Sequence, residues 1–135
     1  RDNAALAQEV QRMRDKMREH LLSSEDSEIK GFDLKQGAGG IVDIEFMVQY
    51  AVLAWCHSVP ELARWTDNIR ILETLGRAGL FEQERCDALR EAYIAYRSAA
   101  HQLSLQQQAG VVPGERFVDL RAAVSDAWQA LFSQA

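Results

Sequence analysis

The sequence predicts an all-α protein: an up-and-down helical bundle with a short extended segment and a glycine-rich turn ahead of its second helix. Three observations lead there. Apolar residues recur at spacings of three and four in five separate segments, the period of one helix face. The breaks between those segments are short and carry Gly, Pro, Ser or Asp. Alternation of apolar and charged residues, the pattern of a half-buried strand, is cleanest over residues 32–35. At 135 residues the chain is read as one helical domain, residues 1–135, large enough to bury a core without metal or disulfide support.

The first helix is predicted over about residues 4–22, with Leu6, Val10, Met13, Met17 and Leu21 on its buried face and charged residues opposite. It begins at Arg1 without a cap of its own, so the chain is expected to be a piece of a longer protein. Residues 23–30 read as an exposed loop, and Asp26 and Glu28 within it have no strand to hold them as a paired-carboxylate site. Residues 32–35 are either an extended lead-in or an edge strand whose partners lie elsewhere in the parent protein, because four residues are too few for a sheet. From Ile41 an alternating pattern would also fit a strand. The apolar run continues to Trp55 without a breaker, however, and that length favours a helix over about residues 41–57.

Pro60 closes this helix. Thr66 or Asp67 is the expected N-cap of a third, which carries Ile69, Leu72 and Leu75 and ends at Gly76 and Gly79. The fourth, over about residues 82–107, turns Cys86, Leu89, Tyr93, Tyr96, Ala100 and Leu103 inward, with both tyrosines as core aromatics. Gly110, Pro113 and Gly114 break the chain before a last helix that faces Phe117, Leu120, Val124, Trp128 and Leu131 to the core.

Composition narrows the function classes. Fifteen Lys and Arg against 20 Asp and Glu give a formal net charge of -5, and the basic residues are scattered, which argues against nucleic acid as the main partner. No apolar run approaches the roughly 20 residues that span a bilayer, so no membrane partner is expected. Cys56 and Cys86 lie in apolar helical patterns without neighbouring ligand residues and read as reduced thiols of a cytoplasmic protein. His20, His57 and His101 have no metal-ligand spacing and read as structural.

Chemistry concentrates in residues 32–46, where Lys35, Gly37, Gly39 and Gly40 are bracketed by Asp33, Asp43 and Glu45. Dense glycine lets a ligand approach the main chain. A helix starting after Gly40 would offer free N–H groups to an anion, so Lys35, Gly37, Gly39 and Gly40 are candidate phosphate-binding residues. Asp43 and Glu45 are the candidate catalytic acids, since hard cations such as Mg²⁺ take carboxylate oxygens and reach substrate through its phosphates. On a helix the two point about 200° apart, so at most one faces a given site. Asp43, nearer the turn, is the candidate metal ligand, with Glu45 either a surface group or a direct participant. Arg64 and Arg70 either reach a phosphate or an acidic partner or serve as solvated surface charges.

The run Lys35-x-Gly37-x-Gly39-Gly40-Ile41-x-Asp43-Ile44-Glu45-Phe46-x-x-Gln49-Tyr50 resembles the signature of the glutamine synthetase adenylyltransferases, with a looser form in the related PII uridylyltransferases. The similarity continues through residues 64–73 and in Ala127-Trp128-Gln129. It implies a four-helix bundle packed on a nucleotidyltransferase domain, in the C-terminal, adenylylating half of a two-headed enzyme. The implied activity is transfer of AMP from ATP, with Mg²⁺, to a tyrosine of glutamine synthetase, with PII proteins and glutamine as regulators and removal of the AMP by phosphorolysis in the other half. The Gly-Ser turn and Asp-x-Asp pair of such nucleotidyltransferases do not occur here. They are expected upstream in the parent, leaving the isolated chain inactive and giving it the role of completing the site. A docking module for glutamine synthetase or PII, and the equivalent domain of a PII uridylyltransferase, are the alternatives.

Overall fold

The computed structural model describes residues 3–22, 31–64 and 67–133, with backbone alone for residues 20–22. Its elements are α1 (Asn3–Leu22), β1 (Phe32–Asp33), α2 (Ile41–Trp55), a 3-10 turn (Pro60–Arg64), α3 (Asn68–Arg77), α4 (Gln83–Leu105), β2 (Val111–Val112) and α5 (Val118–Ser133). The protein is all-α, as the periodicity predicts. Asp26, Glu28 and Thr66, singled out above, lie outside the described residues.

Helix α2 is the centre. It packs against α1, α3, α4 and α5, and it buries Ile41, Val42, Asp43, Ile44, Met47, Val48, Tyr50, Ala51 and Ala54. A helix surrounded by others needs apolar residues on most of its circumference, which is why its sequence shows a run rather than a stripe. Around it, α3 packs on α4 and α4 on α5. Asp67 caps α3 by accepting a hydrogen bond from the Ile69 N–H at 2.9 Å. Gly79, at φ +75°, turns the chain between α3 and α4.

Two aromatic clusters close the core. In one, the rings of Tyr50, Trp128 and Phe132 meet, with centroids 5.2 Å (Tyr50 to Phe132) and 4.5 Å (Trp128 to Phe132) apart. In the other, Tyr96 takes Phe32 and Phe117 edge-on, each at 5.5 Å. Burial pushes the Tyr96 hydroxyl well above the usual range, Arg121 partly opposing this, and the hydroxyl finds no hydrogen-bond partner among the described residues.

The structure corrects two expectations. The partner of β1 is in this chain: Phe32 pairs with Val112 and Asp33 with Val111 in an antiparallel ladder. A two-residue strand survives because Phe32 is buried under Tyr96 and because Leu34 N–H extends the pairing to the Gly110 carbonyl at 2.9 Å. The buried face of α1 is also turned from the one predicted. Met13 and Met17 are 52% and 38% exposed, whereas Ala7, Val10 and Arg14 are buried. Arg14 is drawn inward by a carboxylate on α2, and the whole helix rotates with it.

Two predictions follow from packing. Burial pushes the Cys86 thiol up to about 11, Asp87 adding to the effect and Arg85 opposing it. Native Cys86 should therefore resist alkylation at pH 8 and react fully once urea is added, as mass spectrometry would read. An unfolded thiol ionises near 9.0 and the folded one does not, so this group's stabilisation is complete below pH 9 and is lost as pH rises toward 11.

Glycines 39 and 79 both hold positive φ, but a Cβ at Gly39 would sit 2.6 Å from the Arg121 carbonyl oxygen, while one at Gly79 would meet nothing within 4 Å. In urea denaturation, Gly79→Ala should cost about 1 kcal/mol. Gly39→Ala should cost on the order of 3 kcal/mol or more, because backbone strain and a clash combine.

Candidate functional site at the glycine turn

The turn is built by side-chain and main-chain hydrogen bonds within residues 33–42. The Asp33 carboxylate accepts from the Lys35 and Gln36 N–H groups at 2.9 and 3.0 Å, a local motif that makes aspartate a turn former. Gly37 N–H donates to the Asp33 carbonyl and Gly40 N–H to that of Gly37, both at 2.9 Å. The first N–H groups of α2 are then used: Ile41 donates to the Leu34 carbonyl at 2.8 Å and Val42 to that of Lys35 at 3.0 Å.

This arrangement answers the expectation of an anion cradle at Gly37, Gly39 and Gly40. The N–H groups of Ile41 and Val42 are paired with loop carbonyls, so they do not point at an open site. The glycines let backbone meet backbone instead. A Cβ on Gly37 would lie 2.7 Å from the Asp33 carbonyl oxygen and one on Gly40 2.7 Å from that of Leu34. Gly39 and Gly40 are buried.

Asp43 and Glu45 part company as the helix requires. Asp43 turns inward and is 4% exposed. Its Oδ1 accepts from Arg14 Nε at 2.6 Å and from an Arg18 terminal nitrogen at 2.9 Å. Its Oδ2 accepts from the Gly39 N–H at 2.8 Å and from the same Arg18 nitrogen at 3.1 Å. Arg14 is wholly buried, and its two terminal nitrogens hold the Gln36 side-chain oxygen at 2.9 Å and the Gln36 carbonyl at 2.7 Å. Both oxygens of Asp43 are thus engaged by cations and an amide. A Mg²⁺ ion placed there would confront two guanidinium groups, so Asp43 does not fit as a metal ligand in this arrangement. Among the described residues no group of three or more His, Cys, Asp and Glu gathers to hold a metal ion.

Glu45 faces the other way. With Lys35 it lines an open groove of about 440 Å³ whose far wall is a stripe of α4: Tyr93, Arg97, His101 and Ser104. Lys35 and His101 are exposed there. The Tyr93 hydroxyl is held by Asn68 Nδ2 at 3.0 Å and Arg97 at 3.4 Å, and the Arg97 guanidinium lies 5.5 Å from the Tyr93 ring centre. The groove therefore collects three basic side chains and one carboxylate around a fixed phenol. Of the residues singled out from sequence, Lys35 and Glu45 share this open face, while Asp43, Gly39 and Gly40 are inside.

Sequence reasoning missed Arg14, Arg18, Gln36, Arg97 and the exposed placement of His101. A signal existed for some of them. Ala7, Val10, Arg14 and Arg18 lie at helical spacing on one face, and Tyr93, Arg97 and His101 recur every four residues on α4.

Comparison with known proteins fits this picture. A family model described as GlnD PII-uridylyltransferase matches residues 8–128. The bifunctional glutamine synthetase adenylyltransferase/adenylyl-removing enzyme of Pseudomonas aeruginosa is 54% identical over 140 residues, covering 97% of this chain and 14% of that protein. The proteins of the same description in Nitrosococcus oceani and Acinetobacter baylyi are 50% and 45% identical over 97% and 100% of this chain, again only 13% and 15% of their own length. With a match that runs from α1 into α5 and takes in the whole glycine turn, the chain belongs to the family described as GlnD PII-uridylyltransferase, and it corresponds to a small portion of the glutamine synthetase adenylyltransferases that resemble it.

Proposed function

We propose that this chain is the helical domain beside the adenylylating site of a cytoplasmic glutamine synthetase adenylyltransferase, and that its Lys35 and Glu45 groove is the face it contributes to that site. The parent transfers AMP from ATP to a tyrosine of glutamine synthetase and answers to PII proteins. The observation that carries the reading is the pairing of an exposed lysine from the signature turn with the second signature acid on one open groove, in a chain so similar to proteins bearing that name. Among the described residues no helix is long and apolar enough to cross a membrane.

The chemistry available to these residues is electrostatic. Lys35 is a compact charge on a backbone held at both its N–H and its carbonyl, so the side chain starts from a fixed point when it reaches for phosphate oxygens. Arg97 stands across the groove as a second cation, with the exposed His101 imidazole beside it. Glu45 supplies an acceptor that orients a hydroxyl or amine donor of the bound group. The carboxylates that would hold Mg²⁺ belong to the Asp-x-Asp element absent from this sequence.

In the full-length parent, Lys35→Ala should lower the rate of adenylyl transfer by about 10²- to 10³-fold with an unchanged melting temperature. Glu45→Gln should lower it less, and the isolated chain should transfer no AMP. Radiolabel transfer from ATP to glutamine synthetase reads all three. A Lys35→Ala enzyme at wild-type rate would leave a docking module as the reading, and label passing from UTP to PII instead would assign the uridylyltransferase branch.

Asp43→Asn should unfold or loosen the domain rather than act on chemistry alone, since it leaves the buried Arg14 charge without its counter-ion. The expected cost is about 3–5 kcal/mol in chemical denaturation.

A further inference from the structure

We infer that Arg14 is a positioning residue for Lys35, setting from inside the domain where the groove lysine stands. This rests on the proposed role of the groove. Arg14 is the one charged side chain among the described residues that is 0% exposed, and its hydrogen bonds reach Asp43, Met17 and Gln36, none of which lines the groove. What it holds is Gln36, the residue after Lys35. One terminal nitrogen binds the Gln36 carbonyl at 2.7 Å, the other binds the Gln36 side chain at 2.9 Å, and Nε binds Asp43 at 2.6 Å.

The rest of the turn makes this grip consequential. The Lys35 N–H is held by the Asp33 carboxylate and its carbonyl by the Val42 N–H. The Lys35 Cα is therefore pinned by Asp33 before it, by α2 beside it and by Arg14 through Gln36 after it. Only the side chain is free to reach into the groove. A planar guanidinium spreads its donors over three nitrogens and so bridges a carboxylate, a carbonyl and a side-chain oxygen, whereas an ammonium gathers its three donors on one atom and cannot match acceptors set that far apart. A buried guanidinium must also satisfy the donors that Asp43 leaves over, and here they are satisfied by the loop residue Gln36. The two further bonds to Gln36 serve the loop.

The test is a double-mutant cycle in the full-length adenylyltransferase, with kcat and KM for ATP measured separately. Arg14→Lys keeps a charge beside Asp43 but gives up bonds to Gln36, so it should lower the melting temperature modestly while leaving the enzyme folded at the assay temperature. It should lower kcat on the order of 10- to 100-fold, since misplacing a charge by about 1 Å is enough to do so. On a Lys35→Ala background the same change should cost less than about twofold, because the group it positions is gone.

If Lys35→Ala is slow and the Arg14→Lys loss still multiplies in full, Arg14 does not act through Lys35 and the inference is overturned. Wild-type turnover by Arg14→Lys overturns it as well. Wild-type turnover by Lys35→Ala instead sinks the reading of the groove itself, and the positioning role with it. Should Arg14→Lys fail to fold, Gln36→Met removes one of the two bonds to the loop. It should lower kcat about threefold in the otherwise native enzyme and not at all with Lys35→Ala, and a loss of equal size on both backgrounds would overturn the inference.

Discussion

The structure depends on one buried electrostatic knot, the Asp43 carboxylate with Arg14, Arg18 and the Gly39 N–H around it. A carboxylate that is 4% exposed and a guanidinium that is 0% exposed can each be tolerated only because the other is there. The knot adds little net stability over an apolar pair, but it is specific. It joins α1 to α2 and ties both to the glycine turn, at the cost of leaving Met13 and Met17 of α1 outside. An apolar stripe alone would have turned that helix the other way.

Around the knot, close backbone approach replaces what dense glycine usually offers a ligand. Gly37, Gly39 and Gly40 bring the 33–40 loop against its own carbonyls and against the Arg121 carbonyl at the start of α5. Arg121 also lays its guanidinium 4.2 Å from the Phe32 ring centre. The turn is thereby clamped between α1, α2 and α5, and the two-residue pairing of β1 with β2 closes its fourth side. A loop this constrained suits a role in which a side chain must be presented without the loop itself moving.

The division of labour between the two signature acids is the functional lesson. Two residues apart in the motif, they lie on opposite sides of α2, one engaged in holding the turn and the other left in the groove with Lys35. The motif reads as a single chemical unit in sequence. In space it is half scaffold and half surface, and the surface half gains its remaining partners from α4.

How much of this was legible follows from the range of each interaction. The five helices, a cap at Thr66 or Asp67, the break at Gly79 and the choice of helix over strand for α2 were visible, because periodicity, capping and length act between near neighbours, whereas Gly76, expected to help end α3, lies inside it. So was the divergence of Asp43 from Glu45, which the helix pitch alone dictates. The inward turn of Arg14, the pairing of Phe32 with Val112 and the wall of Tyr93, Arg97 and His101 opposite Lys35 were not. Each joins residues far apart in the chain, and no local pattern says which carboxylate a buried arginine will find. The sequence by itself determined the elements and the chemistry on offer, whereas only the tertiary structure decided which acid would be buried with arginine and which would face solvent beside the lysine, because that choice is made by packing across helices.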